Sequence, residues 1–126
     1  MGELLNGLES EPEAGEADPV ETAKNYIMVN IDREICREDI AKSVYLNPDY
    51  LSRIFKKKEG TSIIDYLIRC RMDKARQLLE ESDLTVSEVA SSVGYSNFSH
   101  FSKLFKKRVG VNPDAYRRLH KMDKKM

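Results

Sequence analysis

The chain has 126 residues, of which 40% are hydrophobic and 33% charged. That balance belongs to a soluble globular protein and excludes a fibre, and no apolar run approaches the roughly 20 residues needed to cross a bilayer. The formal net charge is zero, yet residues 1–18 hold six acids and no Lys or Arg, so the remainder sets all 21 basic residues against 15 acids. An acidic segment beside a basic body fits a polyanion-binding protein, although an ordinary solvated surface would carry the same charges.

Residues 1–18 read as a flexible acidic leader or interdomain linker, because Glu, Gly, Pro and Ala with few apolar groups cannot offset the entropy of ordering a backbone. From Pro19 onward the apolar spacing is helical, with no sustained period of two. A first helix fits Val20–Asn30, with Ala23, Tyr26, Ile27 and Ile31 on one face. A second fits Arg37–Val44 on a stripe of Ile40, Ala41 and Val44. The third begins at Asn47-Pro48-Asp49, where Asn caps, Pro suits the first position and Asp complements the positive helix end. Leu51, Ile54 and Phe55 face inward, and Gly60 ends it.

A long helix over Ser62–Glu81 is predicted next, with Ile63, Ile64, Leu67, Cys70, Ala75, Leu78 and Leu79 inward. Shorter helices fit Val86–Val93, Asn97–Val109 and Asn112–His120, the middle one capped by Ser96 or Asn97. Cys36 and Cys70 lie far apart with no partner at metal-ligand spacing, so they are expected as buried or half-buried thiols. No metal site or cofactor is expected. No nucleophile with a base, paired acids or phosphate-binding glycine loop supports an enzyme.

The strongest signal is self-similarity. Leu51-Ser52-Arg53-Ile54-Phe55-Lys56-Lys57-Lys58-Glu59-Gly60 matches Phe101-Ser102-Lys103-Leu104-Phe105-Lys106-Lys107-Arg108-Val109-Gly110 at an offset of 50, with Tyr66 and Tyr116 each six residues past the glycine. Upstream, Ile40-Ala41-x-x-Val44 matches Val89-Ala90-x-x-Val93 at an offset of 49. One residue has been added in the second turn, and Gly94 is the best assignment. Each copy is a short helix, a tight turn and a longer helix, the layout of a helix-turn-helix.

A duplicated hairpin used only for packing would explain the shared apolar positions. It leaves the shared cations Arg53/Lys103, Lys56/Lys106 and Lys57/Lys107 without a reason. By helical spacing Asp49, Ser52, Arg53 and Lys56 lie opposite the core in one copy, and Ser99, His100, Ser102, Lys103 and Lys106 in the other. Ser, His, Arg and Lys can hydrogen-bond base edges in a major groove, while lysines toward the helix ends suit phosphates. Lys58, Lys121, Lys124 and Lys125 read as a solvated charge face. A connecting helix of about 20 residues spans roughly 30 Å, close to the roughly 34 Å between successive major grooves.

The stretch Ile35–Arg118 resembles the DNA-binding domain of the AraC/XylS family of bacterial transcription regulators. The resemblance lies in Asp39-Ile40-Ala41-x-x-Val44-x-Leu46-Asn47-Pro48-x-Tyr50-Leu51-Ser52-Arg53-x-Phe55-Lys56 and Arg71-x-x-x-Ala75-x-x-Leu78-Leu79. It continues in Val89-Ala90-x-x-Val93-Gly94-Tyr95-Ser96-Asn97-x-Ser99-x-Phe101-Ser102-x-x-Phe105-Lys106 and Gly110-x-x-Pro113-x-x-Tyr116-Arg117. The wording around Asn47–Ser52 looks most like output domains of two-component response regulators. Pro113 departs from the first copy, where Ile63 stands.

The resemblance implies an all-α fold of about seven helices, with the third and sixth entering major grooves. The expected organisation is a first helix-turn-helix subdomain over 19–60, a linker helix over 61–81, a second subdomain over 82–120 and a basic tail over 121–126. Base contacts carried over by position fall on Asp49, Ser52, Arg53, Ser99, His100 and Lys103. Asp49 either accepts from a cytosine amino group or serves only its helix N-terminus, the latter being favoured. Backbone contacts are expected from Asn47, Lys56, Lys57, Asn97, Lys106, Lys107 and Arg108. The expected partners are double-stranded DNA, RNA polymerase and a missing sensor or receiver domain, with no membrane. The protein is expected in the cytoplasm, and the isolated domain as a monomer. A helical protein-interaction adaptor is the alternative, and would tolerate loss of Arg53 and Lys103. The two readers differ where bases would be read, so an asymmetric DNA site is expected.

Overall fold

A computed structural model of the chain describes residues 18–125, with side chains as far as Lys121. The acidic leader, residues 1–17 of it, and the side chains of Lys124 and Lys125 lie outside the described residues. The described chain is all helical: α1 (Pro19–Val29), α2 (Arg37–Ser43), α3 (Pro48–Glu59), α4 (Ile63–Glu81), α5 (Val86–Ser92), α6 (Phe98–Val109) and α7 (Pro113–Lys125). The seven-helix expectation holds. The last helix runs past the expected end at His120 into the basic tail, and Asp18, counted with the leader, caps α1 by accepting from the Val20 N–H at 2.9 Å.

Side-chain caps explain where these helices begin. The side-chain Oδ1 of Asn47 accepts from the N–H groups of Asp49 and Tyr50 at 2.8 and 3.2 Å. Ser62 caps α4 through the Asp65 N–H, and Thr85 exchanges hydrogen bonds with Glu88 in a reciprocal box. Asn97, rather than Ser96, caps α6 by accepting from the His100 N–H at 2.9 Å, and Asn112 caps α7. Each such bond satisfies a backbone donor that the helix leaves unpaired, and contributes about 1 kcal/mol. Helices α3 and α6 both stop at a glycine with left-handed backbone, Gly60 and Gly110.

Two hydrophobic clusters form the interior. Val20, Ala23, Ile27, Ile40, Ala41, Leu51 and Phe55 from α1, α2 and α3 meet Ile63 and Leu67 from the first half of α4. Met72, Ala75 and Leu79 from its second half meet Val89, Ala90, Val93, Phe101, Phe105 and Tyr116. The helix therefore serves both cores in turn. This explains two departures from the expected stripe: Ile64 is exposed, while Arg71 and Met72 are buried. The stripe changes partners midway and rotates as it does so.

The repeat survives in three dimensions. Exposure runs through the same sequence of buried, intermediate and exposed classes over 51–60 as over 101–110. Phe55 meets Tyr66 edge to face at 5.4 Å, and Phe105 meets Tyr116 at 5.6 Å in the same manner. Ile63 and Pro113, which differ in type, are both buried.

The turns relocate the added residue. The N–H of Tyr45 bonds the Lys42 carbonyl and that of Leu46 the Ala41 carbonyl; Gly94 and Tyr95 do the same to Ser91 and Ala90. Tyr45 and Gly94 both have positive φ, 59° and 90°. They are counterparts, so the insertion is Ser96 and not Gly94. Cys36 also departs from expectation: it is exposed because it sits at the N-cap of α2, where its N–H donates to Asp39 at 3.0 Å.

Candidate nucleic-acid interface

The outer faces of α3 and α6 carry the residues singled out by the repeat. Asp49, Arg53, Lys56 and Lys57 are exposed and Ser52 is half-buried; Ser99, His100, Lys103, Lys106 and Lys107 are exposed on α6. The inward positions that fix this orientation are Leu51, Phe55, Phe101 and Phe105, all fully buried. Rotating either helix to hide its cations would expose two large apolar side chains, each worth roughly 1.5–3 kcal/mol of burial.

At the start of α3 the structure adds a residue that sequence reasoning missed. Arg37, the first residue of α2, donates through Nη1 to Asp49 Oδ1 and to Ser52 Oγ, both at 3.0 Å. Asp49 is thereby partly neutralised while its side chain stays 77% exposed. Its role at the helix N-terminus is accompanied by a tertiary ion pair. Ser52 accepts from a charged donor, so its hydroxyl hydrogen is turned away from Arg37 and the group is set as a donor. Tyr50 is half exposed, and the Arg53 guanidinium lies 5.7 Å from its ring centre.

In α6 the corresponding region is built differently. His100 meets the Tyr95 ring edge-on at 5.6 Å, and Phe98 is 46% exposed at the first helical position. An apolar ring there suits a thymine methyl group or a sugar. The offset of 50 aligns Tyr50 with His100 and Phe98 with Pro48, so Tyr50 was recoverable from the repeat. Arg37 was not, because only the crossing of α2 over α3 brings it near.

Both helices end in three cations, Lys56-Lys57-Lys58 and Lys106-Lys107-Arg108, which complement the negative end of a helix. They are not equally free. Lys58 pairs with Asp18, which holds the Asp18 carboxyl below its usual pKa through that hydrogen bond. Arg108, expected at a phosphate, donates to Asp65 on the first turn of α4 at 3.1 Å. Lys56, Lys57, Lys106 and Lys107 make no ion pair among the described residues. The oxygens of Asn47 and Asn97 are taken up by capping, leaving their amide N–H groups as the donors for any phosphate. No group of His, Cys, Asp or Glu among the described residues could hold a metal, and no helix there is long and apolar enough to cross a membrane.

Comparison with known proteins matches a family described as "Helix-turn-helix domain" to residues 40–119. The C-terminal domain of AraT, a response regulator from Geobacillus stearothermophilus, is similar at 38% identity with a TM-score of 0.79, over 82% of this chain and 86% of that one. The DNA-binding domain of AdpA, a global transcriptional factor solved in complex with a target DNA, superposes with a TM-score of 0.81 at 26% identity, over 85% and 96% of the two chains. Among curated sequences, the regulatory protein PocR of Salmonella typhimurium is 39% identical over 95 residues, which are 75% of this chain and 31% of that protein. The chain thus spans about a third of that relative's length.

Proposed function

The chain belongs to the AraC-type helix-turn-helix family, and from that premise we propose that it binds double-stranded DNA in a sequence-specific manner and regulates transcription, with α3 and α6 entering adjacent major grooves. What carries the reading is the repeated exposure pattern of α3 and α6, each with a polar N-terminal half and a basic C-terminal end, hung from the two halves of one helix. At 19 residues, α4 spans about 29 Å, near the roughly 34 Å groove repeat.

In this reading Asp49, Ser52, Arg53, Ser99, His100 and Lys103 face base edges, joined by Tyr50 and Phe98. Lys56, Lys57, Lys106 and Lys107 neutralise phosphates, with Asn47 and Asn97 donating from the helix starts. Arg108, with Nη2 engaged by Asp65, keeps its other guanidinium N–H groups for the phosphate backbone. Ser52, held as a donor by Arg37, suits an acceptor such as guanine O6 or N7, adenine N7 or thymine O4. The subdomains 19–60 and 82–120 are the two readers, and 61–81 the spacer between them.

The chain is the output part of a longer regulator whose sensor or receiver segment lies elsewhere, and RNA polymerase is the machinery on which it acts. Its work is binding and not catalysis, in the cytoplasm where the DNA is. Selection of bound sequences from random duplexes, followed by footprinting, tests the reading. The expected product is an asymmetric two-part motif with centres roughly 10–10.5 base pairs apart. A single short motif, a palindrome, or no enrichment at all would overturn it, the last favouring a protein-interaction adaptor.

A further inference from the structure

Arg71 sits at the point where α4 passes from one core to the other, between Leu67, which packs in the first, and Met72, which packs in the second. Its side chain is buried, with only 7% of the residue exposed. Nη2 donates to the Arg33 carbonyl in the loop after α1, and the guanidinium lies 5.2 Å from the Tyr95 ring in the turn between α5 and α6. Gly94 presses on it from the same turn: a Cβ there would stand 2.7 Å from Nη2 and 2.8 Å from the Ile31 carbonyl oxygen. One planar cation is thus clasped between a loop of the first half and a turn of the second. Tyr95 passes the contact on, since its ring also meets His100 on α6.

A hydrophobic side chain would fill this volume without the cost of desolvating a charge, and Nε is left buried with no partner. Stability alone does not account for an arginine here. We propose that Arg71 is a positioning residue that locks the two helix-turn-helix units at one separation and one angle. Lysine would not replace it: a single ammonium cannot both lie flat against a ring and reach a carbonyl to the side.

The lock is a property of the free protein, while its consequence for DNA rests on the two-groove reading above. With the units locked, one chain accepts one spacing of half-sites, because each added base pair moves the second half-site by roughly 3.4 Å and a tenth of a turn.

Two measurements separate these statements. Spin labels at exposed positions of α2 and α5, introduced as Lys42→Cys and Ser87→Cys in a Cys36→Ser, Cys70→Ala background, report the distance between units without DNA. Wild type is expected to give one narrow distribution, and Arg71→Met one at least twice as wide at unchanged helix content. Where Arg71→Met does not fold, Arg71→Lys takes its place with the same expectation. An unchanged width and centre overturns the proposal. Affinity is then measured, with unlabelled protein, on the selected site with its halves moved by one and two base pairs. Wild type is expected to lose tenfold or more per step and the variant less than threefold. If the distances broaden while wild type accepts every spacing equally, the lock stands and the two-groove reading falls.

Discussion

Replacing Gly94 with alanine should be far more damaging than the same change at Gly60, although both have left-handed backbone, with φ of 90° and 80°. Left-handed backbone costs an L-residue about 1–2 kcal/mol, and at Gly60 that is the whole effect, because nothing lies within 4 Å of the added carbon. At Gly94 the new Cβ would fall 2.7 and 2.8 Å from Arg71 Nη2 and Cζ and 2.8 Å from the Ile31 carbonyl oxygen. A side chain can swing aside, but the backbone carbonyl cannot without moving the loop after α1. Displacing the guanidinium forfeits its bond to the Arg33 carbonyl, about 1.5–3 kcal/mol for a charged donor. The sum is about 2.5–5 kcal/mol, against about 1–2 kcal/mol at Gly60. The difference of about 1.5–3 kcal/mol should separate the two variants by roughly 6 °C or more in thermal unfolding followed by circular dichroism, since 1 kcal/mol moves the midpoint of a domain this size by about 4 °C or more. The penalty should shrink in an Arg71→Met background, where the mobile half of the clash is relieved. Equal midpoints for the two alanine variants would refute the packing reasoning.

Arg53→Ala and Lys103→Ala should each cost about 1–3 kcal/mol at the selected site and relax preference at one position, whereas Lys57→Ala and Lys107→Ala should weaken binding to all duplexes and reduce the salt slope by about 1; titrations at several salt concentrations distinguish the classes. Arg37→Ala should free the Ser52 hydroxyl and bare the Asp49 carboxylate, so repeated sequence selection should show altered preference in the α3 half-site with the α6 half-site unchanged. Tyr116 is pushed up to about 12 by burial and by its hydrogen bond to Glu80. The folded state holds that proton more tightly than the unfolded chain, so the contribution is intact below pH 10 and is lost as pH rises toward 12. Tyr116→Phe should lack this component of alkaline unfolding, as read from helix content against pH, and equal profiles would count against it.

Much of the fold was legible because local and tertiary preferences agree. The Asn-Pro-Asp starts at Asn47 and Asn112, the glycine stops and the paired phenylalanines are each decided within one or two turns of helix. The residues that escaped depend on distant chain. Arg71 was marked in sequence only by the resemblance; by helical spacing it is one more cation on an amphipathic helix, and only the approach of residues 31–33 and 94–95 buries it. Arg37 lies a helix away from the two side chains it holds. The extra residue in the second turn could not be placed by counting, because glycine is the ordinary occupant of a left-handed turn; the exposed Tyr45, in the same conformation, shows which residues correspond. Of the site, the exposed cations were readable from the repeat. Which of them are already engaged, as Lys58 and Arg108 are, was not.

The division of α4 between two cores bears on how the chain survives damage. Cleavage at Asp83, exposed in the connection between α4 and α5, would leave a first fragment whose last helix presents Met72, Ala75 and Leu79 to water, and a second fragment without the wall against which Phe101, Phe105 and Tyr116 pack. Neither piece would be a smaller working protein. Each would carry a raw apolar surface of the kind that drives aggregation or marks a chain for degradation.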